Sequence, residues 1–427
     1  MWSKLIYSLG ERYRNPSIKS WFKFLKQSES WTIQELENYQ LNRLKLILEK
    51  AYSESSFYKA LFDKNKIHPS QIKSLNDLKK IPIIDKTTLI NNRTHIHTNL
   101  SQVKGYMAKT SGTGGQSLQF FRDESADSFN RAAIQRGYSW YHIKPWERNA
   151  YFWGFNFSRV QQIKTRFLDT LQNRFRIFSL KPSDLKSFIK KLDNTTYIHG
   201  YSSMIYEVAK YINSLKVKPK FNLKLIKGTS ETILPYYKAE IQNAFGIQIV
   251  SEYGATESGI IAFECPHGKL HINMEGVIVE EIENEIVVTN LQMTSFPVIR
   301  YKLGDYIKLS SETICCACGM VHKVIDELQG RIGDLVHGKT HTYPSLTFYY
   351  IFKNLLEDHN LGMNYQVIQN DKGNLIFKVD KELNHKELLL LQTEINKYFK
   401  DDITYKIISN YSFKEKMSKH KSFISQI

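Results

Sequence analysis

The stretch KTSGTGGQSLQFF, residues 109–121, sets six small hydroxyl or glycine residues in succession ahead of an apolar, aromatic run. Preceded by a helix-like segment, it reads in two ways, as a cradle for phosphate or as a polar turn. Backbone N–H groups converge on an anion where no Cβ atoms block the approach. The pattern is not a Walker loop, in which Gly-Lys-Ser/Thr opens a helix, because Gln116 and Ser117 follow the glycines. Taken alone, the stretch supports a flexible turn equally well, so the surrounding chain must decide.

A chain of 427 residues suits two domains, one large and one small. Hydrophobic residues at 42% and aromatics at 13% exclude a disordered or collagen-like chain. No apolar run reaches membrane-spanning length. Lys4, Glu11, Arg12 and Arg14 interrupt the start too early for a signal peptide, which gives a cytoplasmic protein as the expectation. Residues 2–9 read as a helix packed on the body, with a membrane surface or partner contact as the alternative. The net charge of +17 is spread along the chain with no zinc-finger, RRM or helix-turn-helix pattern, so no nucleic-acid partner is expected. A basic surface favours anionic small molecules and acidic lipid headgroups equally.

From 30 to 58, Leu36, Leu44, Ile47 and Leu48 recur at helical spacing. In LNDLKKIPIIDKTTLINN, residues 75–92, Pro82 marks a break and Asp85 or Thr87 caps the next helix. A helix is predicted at ESADSFNRAAIQRGYSWYH (124–142). The chain then alternates between strands at NAYFWG (149–154), TTYIHG (195–200), LKLIKG (223–228) and IQIVSEYG (247–254) and helices near Leu171, at 202–215 and at 234–245. That alternation argues for an α/β fold with a parallel or mixed sheet covered by helices. Beyond Gly259 strands and turns dominate, with a hairpin around Glu283 and Asn284. Past GRIGD (330–334) about ninety residues have the size of a small α+β domain.

Five ordered stretches now bear on the glycine loop: TSGTGG (110–115), SEYGATESG (251–259), IRYKLGDYI (299–307), GRIGDLV (330–336) and SKHKSFIS (418–425). Together they resemble the adenylate-forming superfamily, and within it the branch of phenylacetate-CoA ligases and capsule-biosynthesis CapK proteins. The resemblance runs from about Trp31 to the end and rests on the ordered combination. It implies a large N-terminal domain, 1–330, with a β-rich subdomain, and a small mobile C-terminal α+β domain, 331–427, hinged near Asp334. The family commonly carries two adjacent acids at the hinge, whereas Gly333 precedes Asp334 here.

The resemblance further implies ATP-dependent activation of a small-molecule carboxylate as acyl-AMP, followed by transfer to CoA or an amine acceptor. In that scheme Thr110, Ser111, Gly112, Thr113 and Gly114 hold the β- and γ-phosphates, Tyr253 stacks on adenine, and Thr256 contacts the α-phosphate. Glu257 ligates Mg²⁺ through a hard oxygen donor. Asp305 accepts hydrogen bonds from both ribose hydroxyls, and Arg331 offers a planar fork near ribose and phosphate. Ser230, Glu231, Glu252 and Gly254 complete the implied nucleotide-binding set. Lys419, in MSKHKSF with Ser418 at the usual glycine and Lys421 at the usual arginine, takes the catalytic lysine position, where its charge offsets the developing negative charge. Lys414, Lys416 and Lys421 lie close to it.

Four cysteines occur, Cys265, Cys315, Cys316 and Cys318, a spacing that suits a reducing compartment and a metal site better than disulfides. His267 and His271 are both within reach of such a site. The resemblance implies a structural Zn²⁺ held by Cys265, His271, Cys316 and Cys318, with Cys315 spare. An acyl pocket is expected around YFWGFNF (151–157), with Tyr151, Phe152, Trp153 and Phe155, and the turn GTSETILP (228–235). A monomer or homodimer is expected.

Overall fold

The computed structural model describes residues 2–110, 117–152, 159–178, 182–216, 219–311, 316–331, 335–413 and 421–427. The chain opens with helices α1 (Trp2–Arg14), α2 (Ile18–Ser28), α3 (Ile33–Glu54), α4 (Ser56–Lys64), α5 (Lys86–Asn91) and α6 (Arg93–Ile96). Their ends follow local chemistry. Thr32 and Glu35 form a reciprocal capping box at the start of α3. Asp85, rather than Thr87, caps α5 by accepting the Thr88 N–H at 2.8 Å.

The glycine stretch lies between two antiparallel strands, β1 (Gly105–Lys109) and β2 (Gln119–Asp123). The helix expected on its N-terminal side is therefore a strand; GYMAK alternates half-buried with exposed positions, a period of two that five residues made hard to read. Helix α7 (Glu124–Trp140) follows, capped by Asp123.

The predicted alternation then appears as β3 (Asn149–Phe152), α8 (Arg159–Leu171), β4 (Arg174–Arg176), α9 (Pro182–Leu192), β5 (Tyr197–Tyr201), α10 (Ser202–Asn213), β6 (Leu225–Thr229), α11 (Pro235–Phe245) and β7 (Ile249–Ala255). These strands pair in parallel. The chain next reverses through β8 (Gly259–Glu264), β9 (Leu270–Ile272), β10 (Val277–Ile282), β11 (Glu285–Asn290), β12 (Tyr301–Leu309) and β13 (Val324–Arg331). All belong to one sheet of eleven described strands, in the order β10-β11-β12-β13-β9-β8-β7-β6-β5-β3-β4. The β10–β11 turn falls at Glu283 and Asn284, both in the left-handed region at φ 54° and 62°, as a two-residue hairpin requires.

The remainder forms β14 (Leu335–His337), β15 (Thr342–Pro344), α12 (Leu346–His359), β16 (Tyr365–Gln369), β17 (Asn374–Val379), α13 (His385–Phe399), β18 (Thr404–Ile408) and β19 (Phe423–Ser425), with a four-stranded sheet ordered β18-β17-β16-β19. Two large apolar cores result. One joins α9, α10 and α11 to α12, α13 and the four-stranded sheet; the other joins α3 and α4 to the antiparallel strands. Polar contacts reinforce the seam in the first core: Tyr236 donates to Asn364 Oδ1 at 3.2 Å, and Lys210 pairs with Asp380 at 2.5 Å. No helix among the described residues is long and apolar enough to cross a membrane.

Candidate active site

In a parallel sheet, ligands collect outside the carboxyl ends of the strands. Beyond β6, Ser230 holds φ at 66°, a left-handed conformation costing a non-glycine residue about 1 kcal/mol or more. Next to it, the Glu231 carboxylate accepts the Ser203 N–H at 2.9 Å, placing an anion at the start of α10. Beyond β7 the chain turns tightly at Thr256 and Glu257 into β8. Gly254 permits this turn, since a Cβ there would stand 2.6 Å from the Gly259 carbonyl oxygen.

Alternation along β7 sends Glu252 and Tyr253 to opposite faces. Glu252 is buried against Lys227 at 2.5 Å, beneath Tyr138. Its carboxylate is thus engaged within the sheet, apart from the Tyr253 phenol. Tyr253 donates to Asp305 Oδ2 at 2.8 Å. Asp305 in turn lies directly opposite Arg331 in the β12–β13 register, at a bulge in β12. Three of the predicted nucleotide contacts therefore share one neighbourhood in the backbone.

Glu257 is only 5% exposed, and its Oε1 lies 3.4 Å from the Tyr301 hydroxyl and 3.7 Å from Lys86 Nζ. A parallel bridge between Ile84 and Tyr301 holds the start of α5 against β12. Lys86 was not singled out in the sequence, although it sits within the conspicuous stretch ahead of the glycine loop. Arg122 was also missed: it donates to the Thr256 carbonyl oxygen and pairs with Asp127 at 3.4 Å, tying the β1–β2 hairpin to the turn. Next to β1, Thr110 Oγ1 accepts the Leu118 N–H at 2.9 Å and the Thr110 carbonyl oxygen accepts the Ser117 hydroxyl at 2.7 Å. Ser111, Gly112, Thr113, Gly114, Asp334 and Lys419 lie outside the described residues, as do Trp153, Phe155 and Cys315.

Of the expected acyl-pocket aromatics, Phe152 is fully buried against Phe188, whereas Tyr151 stacks on His199 with ring centroids 4.6 Å apart. Burial holds the His199 imidazole well below its ordinary pKa, and the cations of Lys227, Arg174 and Arg176 add to the effect. A neutral histidine thus lines the row Tyr151–His199–Lys227 across β3, β5 and β6.

Ligand atoms of Cys265, His271, Cys316 and Cys318 all lie within 4.8 Å of one another. Two turns of the same form, Cys265-Pro266-His267-Gly268 and Cys316-Ala317-Cys318-Gly319, present the thiols. In each the glycine N–H donates to the first cysteine's carbonyl oxygen at 2.9 Å, with the glycine at φ 73° or 84°. His267 is exposed on the first turn and stands outside the group. Cys265 and Cys316 Sγ atoms are 3.7 Å apart, too far for a disulfide. That distance is close to the edge, about 3.8 Å, of a tetrahedron with zinc–sulfur arms of about 2.3 Å. His271 Nε2 faces Cys318 Sγ at 3.3 Å while Nδ1 lies 3.1 Å from the His322 carbonyl oxygen, so Nδ1 carries the proton and Nε2 offers its lone pair. Burial lowers the His271 pKa to about 4, keeping it neutral, and raises that of Cys318 to about 12. The donor set fits a closed, structural Zn²⁺ site.

Behind the cluster, His322 Nε2 lies 3.0 Å from Glu275 Oε1, and Arg136 donates to the same oxygen at 2.7 Å. Burial alone would raise the Glu275 pKa, but the Arg136 guanidinium, assisted by His322, holds it well below the usual carboxylate range.

No family model matches the chain. The chain is 24% identical over 375 residues to the protein CapK of Staphylococcus aureus, covering 82% of each. Its fold matches that of 2-hydroxyisobutyryl-CoA ligase in the postadenylation state in complex with 2-HIB-AMP, with a TM-score of 0.73 at 17% identity over 94% of this chain and 92% of that one. It also matches an acyl acid amido synthetase, AtGH3.15, in complex with 2,4-DB, with a TM-score of 0.59 at 12% identity over 92% and 89%. The chain is thus similar to CapK along four-fifths of its length, and it shares its fold with an acyl-CoA ligase and an acyl acid amido synthetase.

Proposed function

We propose that the chain is a cytoplasmic ATP-dependent ligase that activates a carboxylic acid as acyl-AMP and passes it to CoA or an amine, in the assembly of a surface polysaccharide. The observation that carries this reading is the 2.8 Å bond from Tyr253 to Asp305 beside the turn bearing Thr256 and Glu257. There an aromatic face, a two-oxygen acceptor and a buried carboxylate face the carboxyl edge of the sheet. In this reading Asp305 orients the ribose, and Tyr253 packs on the base while bracing Asp305. Glu257 would hold Mg²⁺, which when bound would supply positive charge to offset that on the phosphoryl group.

The chain divides at about residue 330, with the 331–427 unit turning near Asp334 so that Lys419 reaches the α-phosphate for the first step. Zn²⁺ on Cys265, His271, Cys316 and Cys318 ties β9 to the 316–319 turn and has no open position for chemistry.

The test is pyrophosphate release across aryl acids, amino acids and uronic acids, with and without CoA. Release with at least one acid is expected. No release from any acid, with no ATP binding by the folded protein, would remove the proposal and leave a degenerate paralogue. The likeness to an acyl acid amido synthetase keeps an amine acceptor in view. Turnover that proceeds with an amine and ignores CoA selects that form.

A further inference from the structure

Helix α1 carries Trp2, Leu5, Leu9 and Tyr13 at i, i+3, i+7 and i+11, one stripe on the helix surface. These residues are 78%, 50%, 55% and 86% exposed. The opposite face is held to the body. Gln135 of α7 donates to the Tyr7 hydroxyl at 3.3 Å and to Glu11 Oε1 at 2.5 Å, and Tyr7 meets Trp146 with ring centroids 6.1 Å apart. Since α1 is held to the body by Tyr7 and Glu11, Trp2, Leu5 and Leu9 point away from it, while at the end of the stripe the Lys104 ammonium lies 5.8 Å from the Tyr13 ring.

The next helix adds charge. Helix α2 packs on α7 through Trp21, whose Nε1 donates to Ser125 at 3.1 Å and whose ring meets Phe129 at 5.1 Å. It exposes Lys19, Lys23 and Lys26 at helical spacing. Residues 2–28 hold the cations Lys4, Arg12, Arg14, Lys19, Lys23 and Lys26, and Glu11 is their sole acid. Glu11 faces the body, Lys4 lies over Trp146, Arg14 stands 4.0 Å from Asp127 and Lys26 pairs with Glu29, which leaves Lys19 and Lys23 to carry the exposed positive charge of α2.

We propose that α1 and α2 form a docking surface for an anionic lipid bilayer, with the α1 stripe set among the acyl chains just below the headgroups and the lysines of α2 on the lipid phosphates. A convex stripe ending in a tryptophan suits a bilayer interface. A second copy would bring two sets of like charges together, a repulsion that anionic lipid turns into attraction.

The experiment is co-sedimentation of the full chain with vesicles of phosphatidylcholine alone or with about one-third phosphatidylglycerol. The wild type should bind the anionic vesicles at least tenfold more tightly, and raising salt from about 0.1 to about 0.5 M should weaken binding severalfold. Leu5→Glu/Leu9→Glu and Lys19→Glu/Lys23→Glu should each lose tenfold or more, with unchanged thermal melting. As an independent reading on the wild type, brominated lipids should quench part of the tryptophan fluorescence, and Trp2→Leu should abolish that part. No binding by the wild type, or equal binding by Leu5→Glu/Leu9→Glu with no Trp2-dependent quenching, overturns the proposal. A wild-type dimer in light scattering that Leu5→Glu/Leu9→Glu makes monomeric, with no vesicle binding, likewise overturns it and assigns the stripe to a second copy.

Discussion

Tyr253 and Asp305 are joined by a 2.8 Å hydrogen bond although β8, β9 and β13 stand between their strands in the sheet. In a flat sheet, strands four places apart lie about 19 Å from one another, beyond the reach of a tyrosine and an aspartate together. The sheet therefore curls on its antiparallel side and folds Asp305 back over the end of β7. On the proposed function, Asp305→Ala should raise the KM for ATP at least tenfold, and Tyr253→Phe, which keeps the ring, about threefold. Steady-state pyrophosphate release against ATP concentration measures both, and an unchanged KM in Asp305→Ala contradicts the ribose role.

On the proposed function the Lys86 ammonium, 3.7 Å from the Glu257 carboxylate, would compete with Mg²⁺ for it. Glu257→Gln should raise the Mg²⁺ concentration for half-maximal activity tenfold or more. Lys86→Met should lower it, by about twofold to threefold. The two variants moving in the same direction in a Mg²⁺ titration would refute the competition.

Zinc is expected at one ion per chain by elemental analysis after purification without chelator. Cys318→Ser should lose the ion and several degrees of melting temperature, whereas Cys315→Ser should keep both. The thiols must be deprotonated to ligate, and burial raises those of Cys265 and Cys318. Zinc affinity should therefore fall as pH falls, with protons released on loading.

Glu275 is fully buried and ionised against Arg136. Its folded pKa is depressed, so its contribution is present above the ordinary glutamate pKa of about 4.3 and is lost as pH falls below that value. Glu275→Gln should cost about 3 to 5 kcal/mol near neutral pH by leaving Arg136 unpaired. The gap between variant and wild type in chemical denaturation should narrow toward acid; a constant gap would assign the loss to packing.

On the proposed function, which needs the charge of Lys419 only in the first step, Lys419→Ala should slow adenylate formation far more than acyl transfer from preformed adenylate. Equal losses in the two half-reactions would argue for a different lysine.

Much of this architecture was readable because it rests on short-range rules. The β–α alternation from Asn149 to Ala255, the Asp85 cap and the turn at Glu283 and Asn284 all follow from periodicity and local backbone preference. Residue type points to a cysteine–histidine group but leaves His267 and His271 open; the set of four donors that the structure brings together is the one the resemblance implies. What escaped was long-range. Lys86 meets Glu257 only because Ile84 bridges to Tyr301. Arg122 reaches Thr256 across 134 positions. Glu252 borders Tyr253 in sequence, but the pleat of β7 turns it to Lys227 on the other face. The Tyr253–Asp305 contact depends on sheet curvature, which no local pattern encodes.

The cysteine–histidine group clasps two points of the chain some fifty residues apart, and the excursion between them carries β10, β11 and β12 with Asp305. Val324 sits opposite His271, and Arg331 opposite Asp305. A short relay of paired strands thus runs from the clasp to the Asp305 carboxylate, which in the proposed function holds the ribose. An ion whose role is purely architectural would then set how tightly the nucleotide is gripped, from a position where it touches none of it.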